Sequence, residues 1–413
     1  NLSGSTKKLV RTDSQGRYAI YGVPEATFLL EASVPALKYA GSISGEITFD
    51  GQLNEIDIVM SENQLPENVK TVAQFFDGNN FSYALQRNGS IKDGSKNVFL
   101  GDGEFNRGAH VLDIIKGEEI YPFSSQTIGF EDNSREVILT SLSDSGLAIQ
   151  RKIVGSETGY FSRYLESFTN DSESPITVDV RLSSHYSISS IRRTINGSTR
   201  LVRVPVGVVT TSSGDGFLNI TAGQPDTWVV LDDDIDEDPF KTNNLPAISH
   251  IFDGENAEVA VKNGEFLSGS SGQFNRLQKT WTITVPANET ISLMHFISEQ
   301  TDRAAALSTT QRLAGLPPEA LVGLTSEEMA SIKNFVLPGD GISNLTPLPN
   351  LLSNISGQVF EFDGATSIAN ARVEFQSQSP FFKRIWSTYS DGSGDFSFAS
   401  KITANGATKV IPE

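Results

Sequence analysis

One short pattern occurs twice and constrains the chain more than any other. Thr12-Asp-Ser-Gln-Gly-Arg-Tyr-Ala-Ile20 returns near the other end as Ser390-Asp-Gly-Ser-Gly-Asp-Phe-Ser-Phe398. Asp13 matches Asp391, Gly16 matches Gly394, Tyr18 matches Phe396 and Ile20 matches Phe398. Each copy spells a tight hairpin. The aspartate caps the turn through its side chain, the glycine supplies a positive φ, and the alternating apolar residues that follow enter a β-core. A chain opening and closing on such turns is expected to be built from strands.

The flanks of the two copies are similar to a known family. Ile355-Ser-Gly-Gln-Val-Phe-Glu-Phe-Asp-Gly364 and Ala369-Asn-Ala-Arg-Val-Glu-Phe375 precede the second copy. Tyr21-Gly-Val-Pro24, Thr27-Phe-Leu-Leu-Glu-Ala32 and Asn54-Glu-Ile-Asp-Ile-Val-Met60 follow the first. Together they resemble carboxypeptidase regulatory-like domains, relatives of collagen-adhesin B-type and transthyretin-like modules. The resemblance implies the second half of one such sandwich at residues 1–62 and the first part of another at 353–413.

Between them, residues 63–297 read as one large antiparallel β-sandwich. Asn88-Gly89 is a hairpin dipeptide. Leu147–Val154 is expected to pair with Phe161–Phe168 through a turn at Gly155–Gly159. Ile176–Leu182, Thr227–Leu231, Lys279–Val285 and Thr290–Ile297 are further strands, and Ile56–Met60 is a last strand of the first module. Arg163-Tyr-Leu-Glu-Ser-Phe-Thr-Asn170, followed by a proline and an alternating strand, looks like the large sandwich of mutarotase-like and glycosidase-associated domains. It brings no catalytic residue that can be matched position by position.

Residues 298–352 change period and read as a helical spacer with an extended linker. Asp302–Leu313 is alanine-rich, and Pro317-Pro318 opens a second short helix. Thr325-Ser-Glu-Glu328 is a capping box for a third, expected over Glu327–Val336. The fold class that follows is all-β: a large β-sandwich flanked by partial immunoglobulin-like or regulatory-like modules, with a short helical spacer.

A formal net charge of −18 argues against nucleic acid as a partner, because phosphate neutralisation needs clustered Lys and Arg. No apolar run is long enough to span a bilayer. The chain has no cysteine, so thiolate metal sites and disulfides are excluded. Asn-x-Ser/Thr sequons at Asn1, Asn80, Asn88, Asn170, Asn196, Asn219, Asn288, Asn344 and Asn354 point to a glycosylated, extracellular or cell-surface chain.

For a metal, Asp232, Asp234, Asp236 and Asp238 alternate in one acidic run and could gather Ca²⁺. The EF-hand spacing fails, since the sixth position is Glu237 where glycine is needed. A solvated acidic loop is the competing reading. No other cofactor is expected. His110, His185, His250 and His295 are scattered without ligand spacing, and His295 reads as core-edge. Glu166 is the first choice for a catalytic acid in a glycoside-processing reading. Trp228, Trp281 and Trp386 could make a sugar platform, but lie in strand-like runs typical of cores.

The main expectation is a non-enzymatic structural segment of a large surface protein, acting in spacing, adhesion or self-assembly with itself or neighbouring domains, including filament formation by strand complementation. The alternative is a carbohydrate-binding module associated with glycan processing, with glycans as partners.

Overall fold

The computed structural model describes residues 12, 16–20, 27–34, 39–49, 55–59, 61–62, 71–100, 107–125, 127–131, 135–156, 158–195, 198–220, 225–242, 244–267, 275–348, 355–376, 385–398, 401–402 and 408–409. Its centre is a double sheet. The strands are β1 (Val111–Lys116), β2 (Glu119–Pro122), β3 (Thr127–Glu131), β4 (Glu136–Leu142), β5 (Ala148–Gly155), β6 (Ser162–Asn170) and β7 (Ile176–Tyr186). They continue as β8 (Gly207–Thr211), β9 (Trp228–Asp232), β10 (Ala247–Ile251), β11 (Asn263–Leu267), β12 (Asn275–Val285) and β13 (Glu289–Gln300). Eight form a large sheet in the order β8-β9-β10-β13-β6-β5-β4-β3, and five a small sheet in the order β11-β12-β7-β1-β2. Every pair within them is antiparallel. The chain is thus all-β in its main mass.

Period-two alternation explains the layering. Along β12 the buried residues Leu277, Lys279, Trp281, Ile283 and Val285 alternate with less buried ones. Their partners across the core include Leu139, Ile149, Ile153, Phe168, Leu231, Leu293 and Ile297 of the large sheet. The expected hairpin of β5 and β6 forms in the register Ala148↔Thr169 through Gly155↔Ser162. Gly89 adopts φ +75° in the Asn88-Gly89 turn, with its N–H donating to Gln86 O at 2.9 Å. The turn at Pro286–Asn288 is different. It separates β12 from β13, which belong to opposite sheets, so the chain crosses the core there instead of folding back on itself.

The outer face of the large sheet is partly roofed by helices α1 (Arg303–Ala314), α2 (Pro318–Leu321) and α3 (Ser326–Ser331). Asp302 caps α1 by accepting from Ala305 N at 2.9 Å. Thr325 and Glu328 form the anticipated capping box on α3. Leu313, Leu316, Ala320, Ile332 and Phe335 pack on Phe161, Leu165, Ile251, Met294 and Phe296 of the sheet. One expectation needs correction: α3 stops at Ser331 rather than reaching Val336. Ile332 bridges to Ser292 of β13, and the Lys333 N–H donates to Ser292 O at 3.0 Å. The sheet edge captures the backbone that a further helical turn would need.

At the start of the chain Thr27–Val34 pairs with Tyr39–Glu46, which pairs with Ser61–Glu62. Glu55–Val59 carries no strand, although its sequence alternates, and Val59 is 86% exposed. The expectation of a last strand at Ile56–Met60 is corrected over its described residues; Met60 lies outside them. Gly16 has the anticipated positive φ of +78° and the Tyr18 hydroxyl donates to Ile56 O at 2.7 Å. Asp13 lies outside the described residues, and Arg17–Ile20 form no strand. Near the other end Ile355–Gln358 pairs with Asp395–Phe398, and Arg372–Gln376 with Ile385–Tyr389. Here the turn forms as read but not the hairpin, because the strands on either side of it, Ile385–Tyr389 and Asp395–Phe398, pair with other strands and not with each other. Asp391 Oδ1 accepts from the N–H groups of Ser393 and Asp395 at 2.8 and 3.0 Å. Gly394 sits at φ +80°, and a Cβ there would meet Val359 O at 2.8 Å. Among the described residues no helix is long and apolar enough to cross a membrane.

Candidate functional site

Two polar sites share the large sheet, one on each face. Inside the sandwich, register brings together residues that no spacing in the sequence links. Arg151 of β5 stands opposite Glu166 of β6, and Tyr164 of β6 opposite His295 of β13. The Arg151 guanidinium donates to Glu166 from Nε at 2.9 Å and from Nη2 at 2.8 Å. His295 Nε2 lies 3.0 Å from Glu166 Oε1. His250 of β10 continues the cluster, 3.0 Å from His110 Nε2 and 2.6 Å from the Tyr186 hydroxyl. The His110 and His295 rings meet edge-on at 4.4 Å, and Tyr164 stacks on His295 at 5.0 Å. His110, at the entry to β1, takes φ +58°, a strained backbone for a non-glycine residue.

None of these side chains reaches solvent. Glu166, His110, His250 and His295 are each 0% exposed. Burial pushes Glu166 upward, but Arg151 and then His295 outweigh it and hold the carboxyl below its ordinary value. Burial lowers His295 to about 4, against the pull of Glu166, and drives His110 and His250 well below the usual imidazole range. Lys279 of β12 faces the same interior over the Phe252 ring, with its ammonium unpartnered and lowered to about 7 by burial. The cluster therefore holds one ion pair among neutral rings. Glu166, the first choice as catalytic acid, is an ionised carboxylate sealed behind two sheets and cannot protonate an external leaving group. Three of the four histidines converge here; His185 lies half-buried on β7.

The opposite face of the same strands is open. Thr140, Gln150, Ser167 and Ser292 lie in one row across β4, β5, β6 and β13. Leu142, Ala148, Thr169 and Thr290 form the next row. Except for the fully buried Ser292, these residues floor a cleft of about 560 Å³ whose wall includes Glu327, Glu328 and Ser331 of α3. Hydroxyls bond to one another along the floor: Ser167 to Ser292 at 2.8 Å, Thr169 to Thr290 at 2.8 Å, and Ser331 to Ser292 at 2.7 Å. Leu142, 65% exposed, supplies an apolar edge. The wall is fixed from below. Lys152 Nζ lies 2.9 Å from Glu136 Oε1 and 3.0 Å from Glu328 Oε1, and donates to Gly323 O at 3.1 Å. Arg163 holds the preceding loop by donating to Ala320 O and Val322 O at 2.9 and 2.7 Å. The sequence hid this cleft because serine and threonine on an outward strand face look like ordinary surface.

The acidic run does not close around an ion. Asp232 accepts from Arg303 Nε at 2.7 Å, and burial raises its carboxyl to about 7. Asp236 accepts from the Arg303 N–H, Asp238 from the Phe240 N–H, and Asp234 stands exposed. Among the described residues no group of three or more His, Asp or Glu is placed to hold a metal. Of the sequons, Asn219, Asn288 and Asn344 are exposed, and Asn80 and Asn88 half-buried. Asn170 is fully buried, its amide donating to Ser174 O, Val285 O and Pro286 O. Asn1, Asn196 and Asn354 lie outside the described residues. Trp281 is core and donates to Asp253 at 2.8 Å; Trp228 packs beneath the helices. The side chain of Trp386 lies outside the described residues.

No protein-family model matches the chain, and no curated protein is significantly similar to it. Solved structures are. A galactose mutarotase-like protein from Lactobacillus casei is 12% identical with a TM-score of 0.32, the match covering 55% of this chain and 99% of that one. A polysaccharide lyase is 12% identical at TM-score 0.30, covering 57% of this chain and 31% of that one. A heparan sulfate lyase from Pedobacter heparinus is 7% identical at TM-score 0.28, covering 54% and 30%. The match thus spans about a third of the length of the lyases. The likeness of the middle region to mutarotase-like sandwiches stands in this coarse form, and no residue role or reaction is carried across from it. The expectation of a non-enzymatic structural segment is corrected: these neighbours are named for proteins that process carbohydrates. They accord with the carbohydrate-related alternative instead.

Proposed function

We propose that the chain is the β-sandwich portion of a carbohydrate-processing enzyme, and that the cleft on the outer face of the large sheet holds a segment of sugar chain. The observation that carries this reading is the floor of hydroxyls from Thr140, Ser167, Thr169 and Thr290 with the Gln150 amide, in an open cleft beside an exposed leucine. Gln150 reaches it with an amide that has no partner among the described residues. A saccharide needs paired donors and acceptors for its hydroxyls and some apolar surface for its C–H faces. The cleft volume falls in the range usual for small-ligand sites. Its hydroxyls are held on strands, so little ordering is left to be done on binding.

Cleavage of a glycosidic bond by paired carboxylates needs two of them. Glu328 is committed to Lys152 and to the α3 cap, leaving Glu327 as the unpaired titratable group of the wall. We therefore assign the cleft to binding and positioning. The proposal keeps the regulatory-like reading of both chain ends, the division at residues 62, 297 and 352, and an extracellular location. The test is titration of the full chain with oligosaccharides, followed by NMR or calorimetry. Gln150→Ala and Thr169→Val are expected to weaken binding about tenfold each, by loss of a hydrogen bond at a desolvated contact. Binding that neither substitution alters would place the sugar elsewhere and defeat the proposal.

A further inference from the structure

The charge around the cleft selects among sugars, and we infer that it takes a neutral polysaccharide segment and rejects uronate or sulfated chains. This inference rests on the binding proposal and adds the substrate class. The cleft is lined by hydroxyls, an amide, the apolar residues Leu142, Ala148 and Ile149 and the carboxylates of Glu327 and Glu328, and among the described residues by no lysine or arginine. Binding of carboxylated or sulfated chains relies on guanidinium or ammonium donors facing the ligand. The two cations nearest in register, Lys152 and Arg163, sit buried under the helices, out of a ligand's reach. Lys152 bonds to Glu136, Glu328 and Gly323. Arg163 bonds to two backbone carbonyls and lies 3.6 Å from Glu136. Both side chains are nearly inaccessible, at 6% and 1%.

Among the described residues, the one charge left facing the cleft is thus negative. Glu327 lies exposed on α3, with no ion pair among the described residues. The whole chain carries −18, so its long-range field also opposes an approaching polyanion. A neutral hexose chain meets neither penalty, and its hydroxyls can donate to Glu327.

The experiment compares neutral gluco-, manno-, galacto- and xylo-oligosaccharides with oligogalacturonate and a sulfated oligosaccharide of matched length, at low salt. At least one neutral chain is expected to bind, with shifts confined to residues of the two floor rows and α3. The anionic chains are expected to bind at least about tenfold more weakly, because like charge at a surface site is a penalty that salt screens. Glu327→Lys is expected to narrow that gap by raising affinity for the anionic chains. Tighter binding of an anionic chain at the floor rows would overturn the inference while leaving the cleft as a sugar site. Absence of binding by every sugar, with the fold intact by NMR, would overturn both.

Discussion

The two faces of the large sheet invite comparison because they are made by the same strands. On β6 the consecutive residues Glu166 and Ser167 point in opposite directions. Glu166 meets Arg151 and His295 in the dark between the sheets; Ser167 lines the cleft and bonds to the buried Ser292. The inner face has the groups chemistry favours, an imidazole set and an ion pair, and no access. The outer face has access and only mild groups. A cluster of histidines with strongly shifted protonation is a good pointer to a reaction centre only when something can reach it. Here the inner cluster reads as a device that holds two sheets in one arrangement, since His250 of the large sheet meets His110 and Tyr186 of the small-sheet side inside the core.

The largest expected effect comes from breaking the inner pair. Glu166→Gln leaves the Arg151 guanidinium buried without its counter-charge, and should cost about 3–5 kcal/mol in denaturant unfolding. A loss below about 1 kcal/mol would mean that water reaches the pair, and the contrast between the faces would fail.

The next test uses acid. An unfolded imidazole titrates near 6.5, whereas burial lowers His295 to about 4. Below about 6.5 the unfolded chain binds a proton that the folded chain refuses, so this residue's contribution to stability falls as pH drops toward 4. The stability difference between the native chain and His295→Gln should shift against the native chain by about 3 kcal/mol over that window. Asp77 and Asp253 act the other way. Burial raises both carboxyls to about 7, so their contribution is full below about 3.8 and is lost as pH rises through 7. A flat His295 difference profile would show that the inner face is hydrated. The smallest effect sharpens the outer face. Thr325→Ala removes half of the α3 capping box and should cost about 1 kcal/mol. Hydrogen exchange should rise at α3 while β5 and β6 stay protected; rises in both would show that the wall and the floor are not separable.

The readable parts of the sequence were those with a local cause. The β5–β6 pairing followed from two alternating runs about a glycine-flanked turn, and the α3 start from Thr325 and Glu328. The end of α3 was not readable, because what stops it is Ser292, on a strand more than thirty residues earlier. Ile56–Val59 alternates like a strand, yet pattern alone cannot supply a partner to pair with. Pro286–Asn288 looks the same whether its strands pair or part. The inner cluster was invisible for the same reason: His110 and His250 are 140 positions apart and meet only through the stacking of two sheets.

The seat of Asn170 has a practical consequence. Its amide is a clasp on the peptide that carries the chain from one sheet to the other, yet the residue stands in an acceptor motif for N-linked sugar. Eukaryotic secretory machinery modifies chains while they are still threading and before such a clasp has closed. A glycan placed there would occupy the nitrogen the crossing needs, so a production host without that machinery suits this protein better.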